Sequence, residues 1–217
     1  MGIALFDLDN TLIAGDSDYL WGCFLVEQGI VDAAEYEQAN QRFYDQYKVG
    51  ELDIHEFLAF QLRPLAVHPM TQLQQWRAQY IEEKIRPILL AGAQDLIERH
   101  RQQGDTLVII TATNRFITEP IATLYGIGHL LATEPELRDG RYTGGVSGTP
   151  CFQDGKVTAL AGWLDAHDES LTDSWFYSDS HNDLPLLEQV QRPVAVDPDE
   201  ILNAHALNHG WPVISLR

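Results

Sequence analysis

The sequence predicts a three-layer α/β/α sandwich around a mostly parallel sheet, interrupted near its start by an all-helical insertion. Three observations carry this. Ile3-Ala4-Leu5-Phe6 is a continuous apolar run that meets two aspartates, Asp7 and Asp9, and such a run reads as a strand buried on both faces. From about residue 87 onward, short apolar runs alternate with helical patterns, the signature of parallel βαβ units. Between these regions the chain shows helical spacing alone and is rich in aromatics. The expected division is therefore a core of residues 1–14 and 87–217 and a helical cap of residues 15–86.

The elements follow in order. Asp16-Ser17-Asp18 is a helix-start signal, with Tyr19, Leu20, Phe24 and Leu25 at helical spacing and Gly29 as a stop. Tyr36, Asn40, Phe43, Tyr44 and Tyr47 share one stripe of a second helix, ended by Gly50. Phe57, Leu58 and Leu62 mark a third, closed by Pro64; Leu73, Trp76, Tyr80 and Ile81 mark a fourth, stopped before Pro87. Ala93–Arg101 reads as helix, Leu107–Ile110 as a buried strand leading into Thr111, and 115–125 as helix ended by Gly126. Leu130–Thr133 is a short strand, and Asp139-Gly140 with Gly144-Gly145 flank a hairpin through Tyr142. Lys156 opens a helix to about His167, Trp175-Phe176-Tyr177 is a strand ending in Ser178-Asp179, and a helix follows near Leu184–Glu188. Val194–Val196 and Val213-Ile214 are the last strands.

At 217 residues, 45% apolar and 21% charged, the chain has the composition of a globular protein with a full core. A net charge of −18 disfavours nucleic acid and anionic membrane as partners, because both repel an acidic surface. Cys23 and Cys151 stand too far apart in sequence to form a disulfide framework or a metal-ligand pattern. No basic segment followed by an apolar stretch opens the chain, and nothing approaches the ~18–20 apolar residues of a membrane span. A cytoplasmic protein is the expectation. The sequence specifies no oligomeric state.

Side chains alternate along a strand, so Asp7 and Asp9 project to one side where the first strand ends. Open α/β sheets bind ligands at that carboxyl edge. The two carboxylates would repel each other, and a divalent cation such as Mg²⁺ would relieve this. Thr111, Lys156, and Asp179 with Asp183 fall at strand ends or loops on the same presumed edge. Together these groups suit phosphoryl transfer. One carboxylate can attack phosphorus, and a second, two residues on, can protonate the leaving oxygen. The Thr111 hydroxyl, nearby amides and the Lys156 ammonium can neutralise the phosphoryl oxygens, while Asp179 and Asp183 offer metal ligands.

Asp7-Leu8-Asp9-Asn10-Thr11 resembles the first motif of the haloacid dehalogenase superfamily of phosphohydrolases. Ile109-Ile110-Thr111 matches its second motif, Lys156 its third, and Ser178 to Pro185 its fourth. The order and the helical insertion are most similar to the phosphoserine-phosphatase-like branch. The resemblance implies a Rossmann-like core, Asp7 as nucleophile and metal ligand, and Asp9 as acid/base whose backbone carbonyl also meets the metal. It implies that Thr111, the amides near Ala112 and Thr113, and Lys156 hold the phosphate, and that Asp179 binds Mg²⁺. Asp183 would support the metal or Lys156, and Asn182 would lie near the transferring group. Asp16 falls where the branch has an acid for the substrate's amino group, here Asp rather than Glu. Arg42, Arg63 and Arg77 are candidates by type alone for the arginine that reads a substrate carboxylate.

Several residues have plain structural roles available. Asp16 could be an N-cap, Thr111 a helix-capping hydroxyl, Lys156 a solvated lysine, and Asp179 and Asp183 helix N-terminal acids. Trp21, Phe24, Phe43 and Tyr44 suit the packing of the cap, and His55, His68 and His181 the surface. The reading is a Mg²⁺-dependent phosphomonoesterase acting on a small phosphorylated metabolite. Histidinol phosphate leads, because its ammonium would pair with Asp16 and its imidazole could pack on Trp21 or a neighbouring tyrosine. Phosphoserine or a broad range of small substrates is the alternative. A phosphotransferase or mutase, and a silent phospho-metabolite sensor, are further alternatives.

Overall fold

The computed structural model describes residues 2–49 and 51–217. A six-stranded parallel sheet runs in the order β3-β2-β1-β6-β7-β8. Its strands are β1 (Ile3–Phe6), β2 (Thr106–Asn114), β3 (His129–Thr133), β6 (Trp175–Ser178), β7 (Arg192–Val196) and β8 (Val213–Ile214). The remaining strands, β4 (Pro135–Arg138) and β5 (Arg141–Val146), form a separate antiparallel hairpin. β1 lies inside the sheet, with Phe6 level with Ile109 of β2 and Tyr177 of β6.

Period-two alternation sorts the strand residues into two cores. Ile3, Leu5, Val108, Ile110 and Phe176 face one side, where they meet Leu160 and Trp163 of α8 (Asp154–His167), Leu187 of α9 (Leu184–Leu187) and Leu202 of α10 (Glu200–His209). Phe6, Ile109 and Tyr177 face the other, against Leu96 and Ile97 of α6 (Ala91–Gln103) and Phe116 and Ile121 of α7 (Arg115–Leu124). The chain is thus a three-layer α/β/α, Rossmann-like fold.

The second core continues without a break into the helical segment between β1 and β2. That segment holds α1 (Ser17–Glu27), α2 (Ala33–Lys48), α3 (Ile54–Gln61), α4 (Arg63–Val67) and α5 (Met70–Tyr80). Trp21 sits at its centre, stacked on Phe24 and edge-on to Tyr80 and Phe116. Each of the first three helices starts on an aspartate, Asp16, Asp32 and Asp53, whose carboxylate accepts from a backbone N–H of the first turn. Trp21, Phe24 and Phe43 are buried packing residues, whereas Tyr44 is 55% exposed.

Several sequence expectations are corrected. Pro64 does not close a helix; it sits in the first turn of α4, where its missing N–H costs nothing. The fourth helix does not stop before Pro87. It widens over Ile81–Ile85 into a π-helical turn and tightens into a short 3₁₀ turn that contains the proline. Asp139-Gly140 forms the hairpin turn, but Gly144-Gly145 lies within β5 and does not bound it. β2 runs past Thr111 to Asn114. Helix α10 carries no expectation, although Asp199 caps its start and Gly210 its end in the left-handed conformation. His181 is a half-buried partner of Asp199 at 2.8 Å, and His68 packs edge-on to Trp76. Gly50 lies outside the described residues. Among them, no helix is long and apolar enough to cross a membrane.

Candidate active site

The carboxyl edge of the sheet gathers every core motif. Asp7 continues β1, its amide donating to Tyr177 O at 2.9 Å. The chain then turns sharply through Asn10 at φ 58°, with Asn10 N donating to Gly15 O. This turn brings Thr11 back against the strand end. Thr11 Oγ1 lies 3.3 Å from Asp7 Oδ2 and 3.3 Å from Asp179 Oδ1, and accepts from the Asp179 amide at 3.1 Å. Two carboxylates from β1 and the end of β6 are thereby held around one hydroxyl, an arrangement in which the sequence reading gave Thr11 no part.

Lys156 enters from the first turn of α8. The preceding Gly155 is required there, because a Cβ would stand 1.9 Å from Pro150 O. The lysine is 3% exposed and donates to Asp7 Oδ1 at 2.7 Å and Asp183 Oδ2 at 2.8 Å. Ser178 Oγ donates to the same Asp183 oxygen at 2.7 Å. Of the two roles open to Asp183, the geometry places that oxygen on the lysine. Asn182 is buried, its side-chain Oδ1 accepting from Gln153 Nε2 at 2.8 Å.

Asp9 points the same way as Asp7 but is held by different groups. Its Oδ1 accepts from the Ser17 amide at 2.6 Å, and its Oδ2 from Thr113 Oγ1 at 2.8 Å and Thr111 Oγ1 at 3.4 Å. Thr111 therefore lies within reach of the acid, and its own oxygen accepts from Thr113 N at 3.2 Å. Ala112 joins this end of β2 to β3 through its backbone carbonyl, which accepts from Thr133 Oγ1 at 2.7 Å.

The electrostatics are those of a site short of positive charge. Burial, with the Asp183 and Asp9 charges behind it, raises the Asp7 pKa to about 7 in spite of Lys156. Burial and the Asp16 charge raise Asp9 to about 6, against the pull of the Ser17 and Thr113 hydrogen bonds. Asp179 is raised well above the carboxylate range by burial and then by Asp7 and Asp183. Burial opposes the charge on Lys156, but Asp183 and Asp7 outweigh it and hold the amine firmly protonated.

Among the described residues, no three His, Cys, Asp or Glu side chains form a ready ligand cage. Magnesium does not need one. It is held by one or two carboxylates and keeps several waters. Asp7, buried, and Asp179, half-buried, mutually repelling and bridged by Thr11, fit that requirement.

A cavity of about 930 Å³ opens over these groups and runs into the helical segment. Its wall includes Asp7, Asp9, Thr111, Ala112, Lys156, Asp179, Asn182 and Asp183 from the core. From the helices come Asp16, Asp18, Tyr44, Tyr47 and Gln61. Tyr47 ties the two parts together, its hydroxyl 2.7 Å from Ser180 Oγ. Asp16 serves as the N-cap of α1, accepting from Tyr19 N at 2.8 Å, and is also exposed at the cavity wall. Trp21 does not line the cavity; it is buried in the aromatic cluster, so a ring held there would meet tyrosines instead.

No arginine lines the cavity among the described residues, and Lys156 is its one basic residue. Arg42 pairs with Glu56 and Arg63 with Glu35, both at 2.8 Å on the surface. Arg77 lies over the Phe116 ring and donates to Phe116 O at 2.7 Å.

The profile of the haloacid dehalogenase-like hydrolases matches residues 4–188. The histidinol-phosphatase of Neisseria meningitidis serogroup C (strain 8013) is 44% identical over 99% of both chains. A probable phosphatase of Mycobacterium tuberculosis is 31% identical over 98% of this chain and 74% of its own. Among solved structures, a Bordetella pertussis protein of unknown function superposes with a TM-score of 0.93 at 45% identity, covering 99% of this chain and 98% of that one. A phosphoserine phosphatase carrying a phospho-aspartyl intermediate analogue gives 0.71 at 17% identity over 100% of this chain and 93% of that one, a likeness of fold.

Proposed function

The chain belongs to the haloacid dehalogenase-like hydrolase family and is a phosphatase, and from that premise we propose that it hydrolyses a small phosphomonoester bearing a cationic amine, histidinol phosphate first. One observation carries the substrate class. Among the described residues the cavity has no arginine, and its single lysine is already shared between two carboxylates. A substrate carboxylate, such as that of phosphoserine, would enter an acidic cavity with no free cation to meet it. An ammonium enters the same cavity with acids on its walls. The 44% identical relative named a histidinol-phosphatase supports the same choice.

In this reading Asp7 is the nucleophile. One of its oxygens attacks phosphorus, the bond from phosphorus to the substrate oxygen breaks, and the departing alkoxide takes the proton of Asp9. Asp9 then removes a proton from water, whose oxygen attacks phosphorus and releases phosphate from Asp7. A pKa of about 6 suits an acid that must give and take a proton near neutrality. Lys156 holds Asp7 in place and faces the phosphoryl oxygens, with Thr111 and the amides of Ala112 and Thr113 beside it. Asp7, the Asp9 carbonyl and Asp179 would hold Mg²⁺, which supplies positive charge for the phosphoryl group and ionises Asp7. Residues 15–86 act as a cap over the site, with Tyr47 as one contact to the core.

The test is kcat/KM for histidinol phosphate, phosphoserine and glycerol phosphate side by side in Mg²⁺. Histidinol phosphate should lead. A clear win for phosphoserine overturns the substrate class, and equal values for all three would make the enzyme a broad phosphatase.

A further inference from the structure

Asp18 lies two residues beyond Asp16 on the first turn of α1. It is 4% exposed, yet it lines the cavity. Among the described residues one hydrogen bond reaches its carboxylate, from Asn114 Nδ2 at 3.2 Å, and no lysine or arginine pairs with it. A buried carboxylate is normally paired or neutralised. Burial first, then Asp16 and Asp9, hold its pKa well above the usual range. Asn114 needs no charge on Asp18 for its own placement, since its side-chain oxygen already caps α7 by accepting from Ile117 N.

A second group on the same cavity wall lacks a partner. Gln61 is 3% exposed, and its Oε1 accepts no hydrogen bond. It closes α3, next to Phe60, which packs on Tyr36 at 4.6 Å. Tyr36 in turn lies 3.4 Å from where a Cβ on Gly22 would stand, and Gly22 is one turn along α1 from Asp18. A buried amide oxygen with no donor costs stability that a ligand N–H would return.

We propose that Asp18 and Gln61 are the residues that read the nitrogen groups of the substrate, Asp18 taking the ammonium and Gln61 a ring N–H. This rests on the substrate class proposed above. Position assigns the two roles. Asp18 lies beside Asn114, adjacent to the Thr113 that holds Asp9, and so sits near the phosphoryl end of the cavity. Gln61 belongs to α3, deeper in the helical segment. In an imidazolyl amino-alcohol phosphate the amine is near the phosphate ester and the ring is further away. Asp16 is the weaker partner for the amine, because it is exposed and its pair with an ammonium is screened by water.

The test uses three phosphate esters on the whole protein with Mg²⁺: glycerol phosphate, ethanolamine phosphate, which adds the amine, and histidinol phosphate, which adds the ring. Wild type should rank them in rising kcat/KM. Asp18→Asn keeps the shape and should cut the ratio of ethanolamine to glycerol phosphate by about tenfold or more, a charge-assisted hydrogen bond. Gln61→Leu should instead cut the ratio of histidinol to ethanolamine phosphate by about threefold to tenfold. Asp16→Asn should move the first ratio less than Asp18→Asn does. Thermal unfolding of each variant checks the fold, and Asp18→Asn, which removes an unpaired buried acid, should melt no lower than wild type. If wild type fails to rank the esters this way, the substrate class itself is wrong. If the ranking holds and Asp18→Asn and Gln61→Leu both keep it, the assignment of these two residues is overturned.

Discussion

Raising the pH of the metal-free protein should weaken its fold, and magnesium should restore it most where the loss is greatest. Asp7 is held at about 7 against an ordinary 3.8, because burial and neighbouring carboxylates outweigh Lys156. A group whose pKa rises on folding contributes stability that is complete below its unfolded pKa. That contribution disappears as pH climbs through the folded value. The window is therefore from about pH 4 to about pH 7. Roughly three pH units at about 1.4 kcal/mol each gives a total of order 4 kcal/mol. From pH 5.5, above the pI of 4.6, to pH 7, about 2 kcal/mol remains at stake. Asp9, at about 6, acts in the same direction over the lower part of the window. For a chain of this length ~2 kcal/mol corresponds to about 4–8 °C in Tm. Circular dichroism melts in EDTA at about pH 5.5 and 8, repeated in excess Mg²⁺ at matched ionic strength, measure it. Tm in EDTA should fall with pH, and the gain from Mg²⁺ should be larger at pH 8. Asp7→Asn, which cannot titrate, should make the slope shallower, with Asp9, Asp18 and Asp179 supplying what remains. A metal-free Tm that stays level or rises with pH, or an Asp7→Asn slope equal to wild type, would show that these carboxylates are not held as the geometry implies.

Two substitutions test the chemistry and the packing. With p-nitrophenyl phosphate, whose leaving group needs no proton, Asp9→Asn should release a burst of about one p-nitrophenolate per enzyme and then stall, since phosphate remains on Asp7; steady turnover at the wild-type rate would remove Asp9 from the second step. Lys156→Met strands Asp7 and Asp183 and should cost about 3–5 kcal/mol in urea unfolding near neutral pH, with part returned by a second change, Asp183→Asn; strictly additive losses would count against the shared pairing.

What the sequence revealed of this site depended on how local each signal was. Asp7 and Asp9 are legible because a strand's period of two fixes their common side within three residues. Thr111 is legible from the apolar run that leads into it, although that strand continues to Asn114, and the acids after Trp175-Phe176-Tyr177 are legible because they follow the end of a buried strand. Thr11 was visible as a motif letter, but its bridging position depends on a backbone turn at Asn10 that only coordinates show. Asp18 read as a helix-start acid. It is buried and meets Asn114, 96 residues away, and no periodicity reports such a contact. Tyr47 meeting Ser180 across 133 residues is equally silent in sequence. Helix α10 was missed because only Leu202 and Ala206 of its residues are buried, too thin a stripe to read. Gly144-Gly145 was misread because a glycine pair marks turns more often than strand interiors.

Charge balance ties the metal and the substrate to one cause. Eight Asp or Glu residues line the cavity, with Lys156 as their one basic neighbour on its wall. Glu27 is matched by Lys84 at 2.7 Å, and Lys156 is shared by Asp7 and Asp183. Asp9, Asp16, Asp18, Glu37 and Asp179 remain without a side-chain cation among the described residues. A phosphate monoester brings further negative charge into this cavity, so binding it bare would be opposed from every wall. The repulsion is relieved in two places only if cations arrive in two places. On the proposed reading, a divalent metal held by Asp7 and Asp179 would answer the acids at the sheet edge. On the same reading, an ammonium on the substrate would answer Asp18 and Asp16 at the foot of α1. A substrate lacking that ammonium leaves Asp18 buried and unpaired, and one bearing a carboxylate adds to the deficit. If the proposed reading holds, the same acidity that calls for a metal also selects against acidic substrates, with no arginine needed to do the sorting.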